Sequence, residues 1–221
     1  MVGLRVKHIL LELKYHSPFT LVGTVFGLVI AIAFSFFTWL PPNTADIVFH
    51  ALHPFHVFLS SVATTAVFWK HKKKIFEVFP VGIVGSIGIC SISDIVIPYL
   101  GLLPLEKIKF HLCVLVHPQL VFSSAIAGVF VGVFLTNLTR KLSLFSHGSH
   151  VLVSALASTF YLTAFGSLSL IQILPIAFTV IFIAVLIPCC TSDIVFPMLF
   201  IGKTFETEPT AHKILIKRKP S

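Results

Sequence analysis

Apolar residues in this chain run in long blocks, without the short period of an amphipathic helix or strand. Leu21–Leu40, Val57–Trp69, Val81–Leu103, Leu120–Leu135, Val151–Leu170 and Ile171–Phe200 are almost free of charge, and short polar or basic links, or none, divide them. A helix needs about 20 apolar residues to cross a bilayer. The pattern predicts an all-α membrane protein with six transmembrane helices. Before the first block, charged Arg5, Lys7, Glu12 and Lys14 alternate with apolar residues over Leu4–Tyr15, which predicts a short N-terminal interfacial helix rather than a cleaved signal.

Composition agrees with the pattern. The chain has 221 residues, of which 11% are charged, whereas soluble domains carry about 25%. No phosphate loop, nucleophile elbow or dinucleotide fingerprint occurs. The four cysteines, Cys90, Cys113, Cys189 and Cys190, lie in or beside apolar blocks and do not form a disulfide framework.

The net charge of +8 is not a nucleic-acid signal, because the basic residues gather in particular links. Arg5, Lys7 and Lys14 precede the first span, and Lys70 and Lys72–Lys74 follow the second. Arg140 and Lys141 follow the fourth, and Lys203, Lys213, Lys217, Arg218 and Lys219 follow the sixth. Only Lys107 and Lys109 lie on the opposite side, leaving 14 of 16 on one face. The positive-inside rule then puts both termini in the cytoplasm of a multi-pass protein of the cell membrane.

The chain also repeats itself. His53-x-x-His56-Val57-x-x-Ser60-x-x-Ala63-Thr64-Thr65 in span two matches His147-x-x-His150-Val151-x-x-Ser154-x-x-Ala157-Ser158-Thr159 in span five. Cys90-x-x-Ser93-Asp94-Ile95-Val96-x-Pro98 in span three matches Cys189-x-x-Ser192-Asp193-Ile194-Val195-x-Pro197 in span six. His16 and His117 each open a span, with Gly27 and Gly128 eleven residues on. Three spans per repeat is odd, so the second half must run opposite to the first. The predicted architecture is two inverted-topology three-helix repeats, residues 1–105 and 106–202, followed by a basic cytoplasmic tail, residues 203–221.

Topology then sorts the polar residues. His53, His56, Cys90, Asp94 and His117 are expected near the outer face, and His16, His147, His150, Cys189 and Asp193 near the inner face. Asp94 and Asp193 are the only carboxylates within spans, and each costs on the order of 3 kcal/mol to insert without a partner. Imidazole, carboxylate and thiolate suit a divalent transition-metal ion, with Zn or Fe favoured, better than Ca²⁺ or Mg²⁺. Ser60, Thr64, Ser93, Ser154, Ser158 and Ser192 are read as supporting groups or a polar path. Pro98 is expected to free the carbonyl of Asp94, and Pro197 that of Asp193; with Pro188 they are expected to break their helices. His8, His50, His71, His111 and His212 fall outside the repeat and are read as interfacial polar groups.

The function expected from these residues is transport of a divalent transition-metal cation by alternating access. Two alternatives stay open: an intramembrane redox protein holding haem or metal through paired histidines, and a metal-dependent membrane enzyme acting on a lipid. The expected partners are the bilayer, the metal cation and, as an open option, a second copy of the chain; nucleic acid is not expected.

Overall fold

A computed structural model of the chain describes residues 2–36, 43–105, 107–135, 140–190, 196 and 200; the side chains of residues 2–13, 15–16, 35, 140–147 and 189–190 are outside the description. The described residues form helices and loops without strands. The long helices are α1 (Val2–Ser35), α2 (Thr44–His71), α3 (Ile75–Leu102), α4 (Pro118–Leu135), α5 (Arg140–Phe165) and α6 (Leu174–Cys190). Five contain stretches long and apolar enough to cross a membrane; the described part of α6 is a shorter apolar helix. Phe19, Phe26, Phe76, Leu115 and Phe134 are among many large apolar side chains left exposed, as expected where lipid is the solvent.

Three expectations change in detail. The N-terminal segment is not a separate interfacial helix: α1 is continuous through Pro18, and its apolar membrane-length part is Ser17–Phe34. Pro18 lies at the edge of that apolar part and costs the helix one hydrogen bond without ending it. Pro188 likewise lies within α6 rather than ending it.

The third change is at Pro98. α3 does not break there; it widens into a π-helical turn over Ile92–Val96, with the N–H of Ile97 bonded to the carbonyl of Ile92. In that register a residue pairs five positions back, so Pro98, which lacks an N–H, leaves the carbonyl of Ser93 without a helical partner. The Ser158 hydroxyl of α5 donates to this Ser93 carbonyl at 3.3 Å.

α2 is at the centre, against α3, α4 and α5; α5 also contacts α1 and α6; α1 packs on α6, and α3 on both α4 and α6. α3 also meets α5 through its π-turn and the segment that follows. Exchanging helices 1, 2 and 3 for 4, 5 and 6 preserves the other pairings but, among the described residues, not this one. Glycines set the closest approaches. A Cβ on Gly128 would lie 2.6 Å from the Phe58 carbonyl oxygen, and one on Gly132 2.7 Å from that of Val62, so α4 lies directly on the α2 backbone. Gly27 brings α1 onto α5 in the same way, 3.2 Å from the Ala155 carbonyl carbon. Ser61 ties the α2–α4 seam by donating to the Ala125 carbonyl at 2.7 Å. At the Lys72–Lys74 end of α2, Lys72 and Lys74 pair with Glu77, the latter at 3.2 Å.

Gly128→Val should force α2 and α4 apart, lowering stability by about 1–3 kcal/mol or more. Gly88, with nothing within 4 Å of an added Cβ, should accept alanine with no loss. Thermal unfolding in detergent, read by the loss of the monodisperse peak, compares the two variants.

Candidate functional site

The site is built on one face of α2. His50, His53 and His56 recur every three residues, and Ser60 and Thr64 extend the face. His53, His56, Ser60 and Thr64 are fully buried, while the His50 side chain is 16% exposed at the helix end. The buried stretch meets Asp94 on the π-turn of α3, which is itself fully buried.

Four donors surround the Asp94 carboxylate. The Nδ1–H groups of His53 and His56 donate to Oδ2 at 2.9 and 2.7 Å. The Ser93 and Ser154 hydroxyls donate to Oδ1, each at 2.9 Å. A carboxyl group that kept its own proton would have to oppose one of these donors, so the arrangement suits the anion. His56 then turns its Nε2 to Nε2 of His150 on α5, 3.1 Å away. The cluster therefore draws on α2, α3 and α5 at once. The Nε2 of His53, beside the stacked ring of Phe49, is buried and has no hydrogen-bond partner among the described residues.

This geometry regroups the residues singled out from the sequence. His150, expected near the inner face, joins His56 in the cluster around Asp94, while the other residues expected at the inner face lie outside the described side chains. The reason His56 meets His150 is depth: twelve residues carry His56 about 18 Å along the 28-residue α2, close to the middle of that helix. Asp94, expected as a metal ligand, has its oxygens occupied by hydrogen bonds, and here it orients imidazoles. Cys90 is buried within the apolar core. Of the path residues, Ser93, Ser154 and Ser158 serve the cluster directly. Asp193, Ser192, Pro197 and the tail 203–221 lie outside the described residues, as do the side chains of His16, His147 and Cys189.

His117 stands elsewhere. It meets His50 and His111 in a second group, at the end of α2 away from Lys72–Lys74. The three offer ligand atoms that all lie within 4.8 Å of one another, the only such set of three His, Cys, Asp or Glu among the described residues. The Nε2 atoms of His50 and His111 are 3.0 Å apart, and the His50 and His117 rings lie 4.7 Å centre to centre. Tetrahedral zinc with Zn–N bonds of about 2.0–2.1 Å needs ligand nitrogens about 3.3 Å apart, so small adjustments would seat a metal and leave a fourth position open.

The surroundings prepare this triad. His50 donates its Nδ1–H to the Asp46 carbonyl at 2.8 Å, which keeps the Nε2 lone pair for a metal. His111 stacks on Phe165, with ring centres 4.5 Å apart, and donates its backbone N–H to the Tyr161 hydroxyl. The loop is also pinned to α5 by Lys109, whose N–H donates to the Phe165 carbonyl. Burial, and after it the neighbouring His50, lowers the His111 pKa, favouring the neutral, ligating imidazole.

No family model, curated protein or solved structure matches this chain. Its chemistry must be read from these two groups alone. An imidazole triad can hold a metal ion; a carboxylate saturated by donors holds rings in place. A porphyrin, which would sit between its two axial imidazoles, finds no gap between His56 and His150. His50 and His111 escaped the repeat-based reading because the repeat does not include them. The signal available was the three-residue spacing that puts His50 on the face of His53 and His56, together with two histidines in the link facing that helix end.

Ser154→Ala should remove one donor to a buried carboxylate and cost about 1–2 kcal/mol. Asp94→Asn should cost more, because its amide nitrogen confronts donors. Equilibrium unfolding in mixed micelles should rank wild type above Ser154→Ala, and that variant above Asp94→Asn.

Proposed function

We propose that the protein is a multi-pass transporter of a divalent transition-metal cation, zinc or iron being the best matched, and that His50, His111 and His117 capture the ion. One observation carries the reading: a metal-competent histidine triad stands at the end of a helix face whose histidines continue inward to a buried anion. The bare Nε2 of His53 puts a lone pair on that route. A cation moving along the face meets falling exposure and the negative charge of Asp94, which together favour it over water at depth.

The repeat supports the transport reading. Recurrent motifs at fixed offsets, helix pairings largely preserved on exchange of the halves, and the His56–His150 contact between equivalent positions all fit inverted repeats with an axis through the centre of the bundle. Transporters of that construction work by rocking one repeat against the other around a midplane site. On this reading His16, His147, Cys189 and Asp193 line the route toward the cytoplasmic face, and both termini are cytoplasmic. The residue equivalent to His50 is Leu144, so the full triad is not duplicated and capture belongs to the outer end.

A second reading, a metal-dependent membrane enzyme acting on a lipid, is favoured by one feature. A groove of about 540 Å³ runs from His50 along Pro54, Phe55, Phe58 and Leu120, between α2 and α4. It would admit an acyl chain beside the triad.

Purified protein should bind one Zn²⁺ per triad, and His50→Ala, His111→Ala and His117→Ala should each weaken binding at least about 100-fold. In sealed vesicles the wild type should accumulate Zn²⁺, Fe²⁺ or Mn²⁺ and the triad variants should not. Tight binding without movement, joined to turnover of a vesicle lipid, would replace transport with the enzyme reading. Unaltered binding in all three variants would remove the metal site.

A further inference from the structure

The contact between His56 and His150 plays no part in metal capture, and, unlike the His50–His111 contact, it lies beside a buried carboxylate. Two Nε2 atoms 3.1 Å apart cannot both present lone pairs; one hydrogen must lie between them. His56 already donates its Nδ1–H to Asp94. With both rings neutral, His150 donates to His56 and the cluster keeps the full negative charge of Asp94. With one proton more, one ring is an imidazolium, its Nε2–H bonds the other ring, and the cluster is neutral.

Among the described residues, the neighbours supply no other positive charge. His53 on α2 and Asp94 on α3 are the titratable groups at the pair, and α5 adds the hydroxyls of Ser154 and Ser158. The described buried residues of α4 are Val121, Ala125, Gly128, Val129 and Gly132. Those of α6 are likewise apolar, and those of α1 are apolar or carry hydroxyls. A buried anion with no basic neighbour among the described residues is costly, and a proton on the imidazole pair is the nearest means of balancing it.

We propose that His56 and His150 bind one exchangeable proton beside Asp94, and that this proton is the ion exchanged for the metal. The second part rests on the transport reading; the first does not. On binding, an N–H bond forms at the pair and the imidazolium is held by the carboxylate. On release the same bond breaks and the proton leaves to water. No electron moves. Because the pair spans α2 and α5, equivalent helices of the two repeats, gain or loss of the proton changes the attraction between the halves.

The proton site is tested in the full-length chain, labelled with nitrogen-15 histidine in lipid bilayers, by solid-state NMR across a pH series. The expected result is an Nε2–H···Nε2 coupling between two histidines and one proton released from that pair as pH rises. Both should be absent in His150→Gln and in His56→Gln, whose amides keep a donor at each position. Two uncoupled neutral rings in wild type, or a titration unchanged in both variants, would overturn the site.

Coupling is tested in vesicles enclosing a pH-sensitive dye. Wild-type Zn²⁺ uptake should move protons the other way and change at least tenfold with an imposed pH gradient. His150→Gln should lose that dependence while the triad still binds Zn²⁺. Uptake indifferent to the gradient in wild type overturns the coupling and leaves transport standing. Absence of any uptake overturns transport and with it the coupling, and the NMR result alone then decides the proton site.

Discussion

The buried carboxylate of Asp94 dictates much of this structure. An anion inside an apolar bundle must be met by donors, and here three helices supply them: His53 and His56 from α2, Ser93 from α3 and Ser154 from α5. Each donor removes a freedom from its helix. The π-turn around Asp94 follows from the same demand. It turns the carboxylate toward α2 and α5, and it leaves the Ser93 carbonyl to the Ser158 hydroxyl. Such a network is costly when partly satisfied and specifying when complete.

Close packing makes that network reachable. Gly128 and Gly132 let α4 touch the α2 backbone, and Gly27 does the same for α1 on α5. In lipid no hydrophobic force draws helices together, so small residues and interhelical hydrogen bonds must do it. The outer helices thus clamp α2 and α5, and these two carry the histidines that meet at the centre.

The two polar groups differ in chemistry although both are largely imidazole. In the triad, backbone and aromatic contacts hold the rings and the nitrogens converge on a common point. In the central cluster the rings point one nitrogen at a carboxylate, and the other, for His56, at another ring. The first geometry suits a metal ion and the second a proton. Their placement on successive turns of α2 puts a metal-competent histidine group and the donors to a buried carboxylate on one rigid element.

The all-helical, membrane-like class, the long apolar segments, the duplicated His, Ser and Asp motifs and the bias of basic links were all legible in the chain. Each depends on local composition or on comparison of the chain with itself. Hydrocarbon solvent demands long uninterrupted apolar helices, and little else satisfies it. The chain alone could not show that His150 belongs with His56, that His117 belongs with His50 and His111, or that a π-turn before Pro98 leaves the Ser93 carbonyl without a helical partner. Those outcomes depend on how deep each residue sits along its helix, on how closely glycines let the helices approach, and on a one-residue change of helical register. These are properties of packed helices in three dimensions, which no spacing along a single strand of sequence encodes.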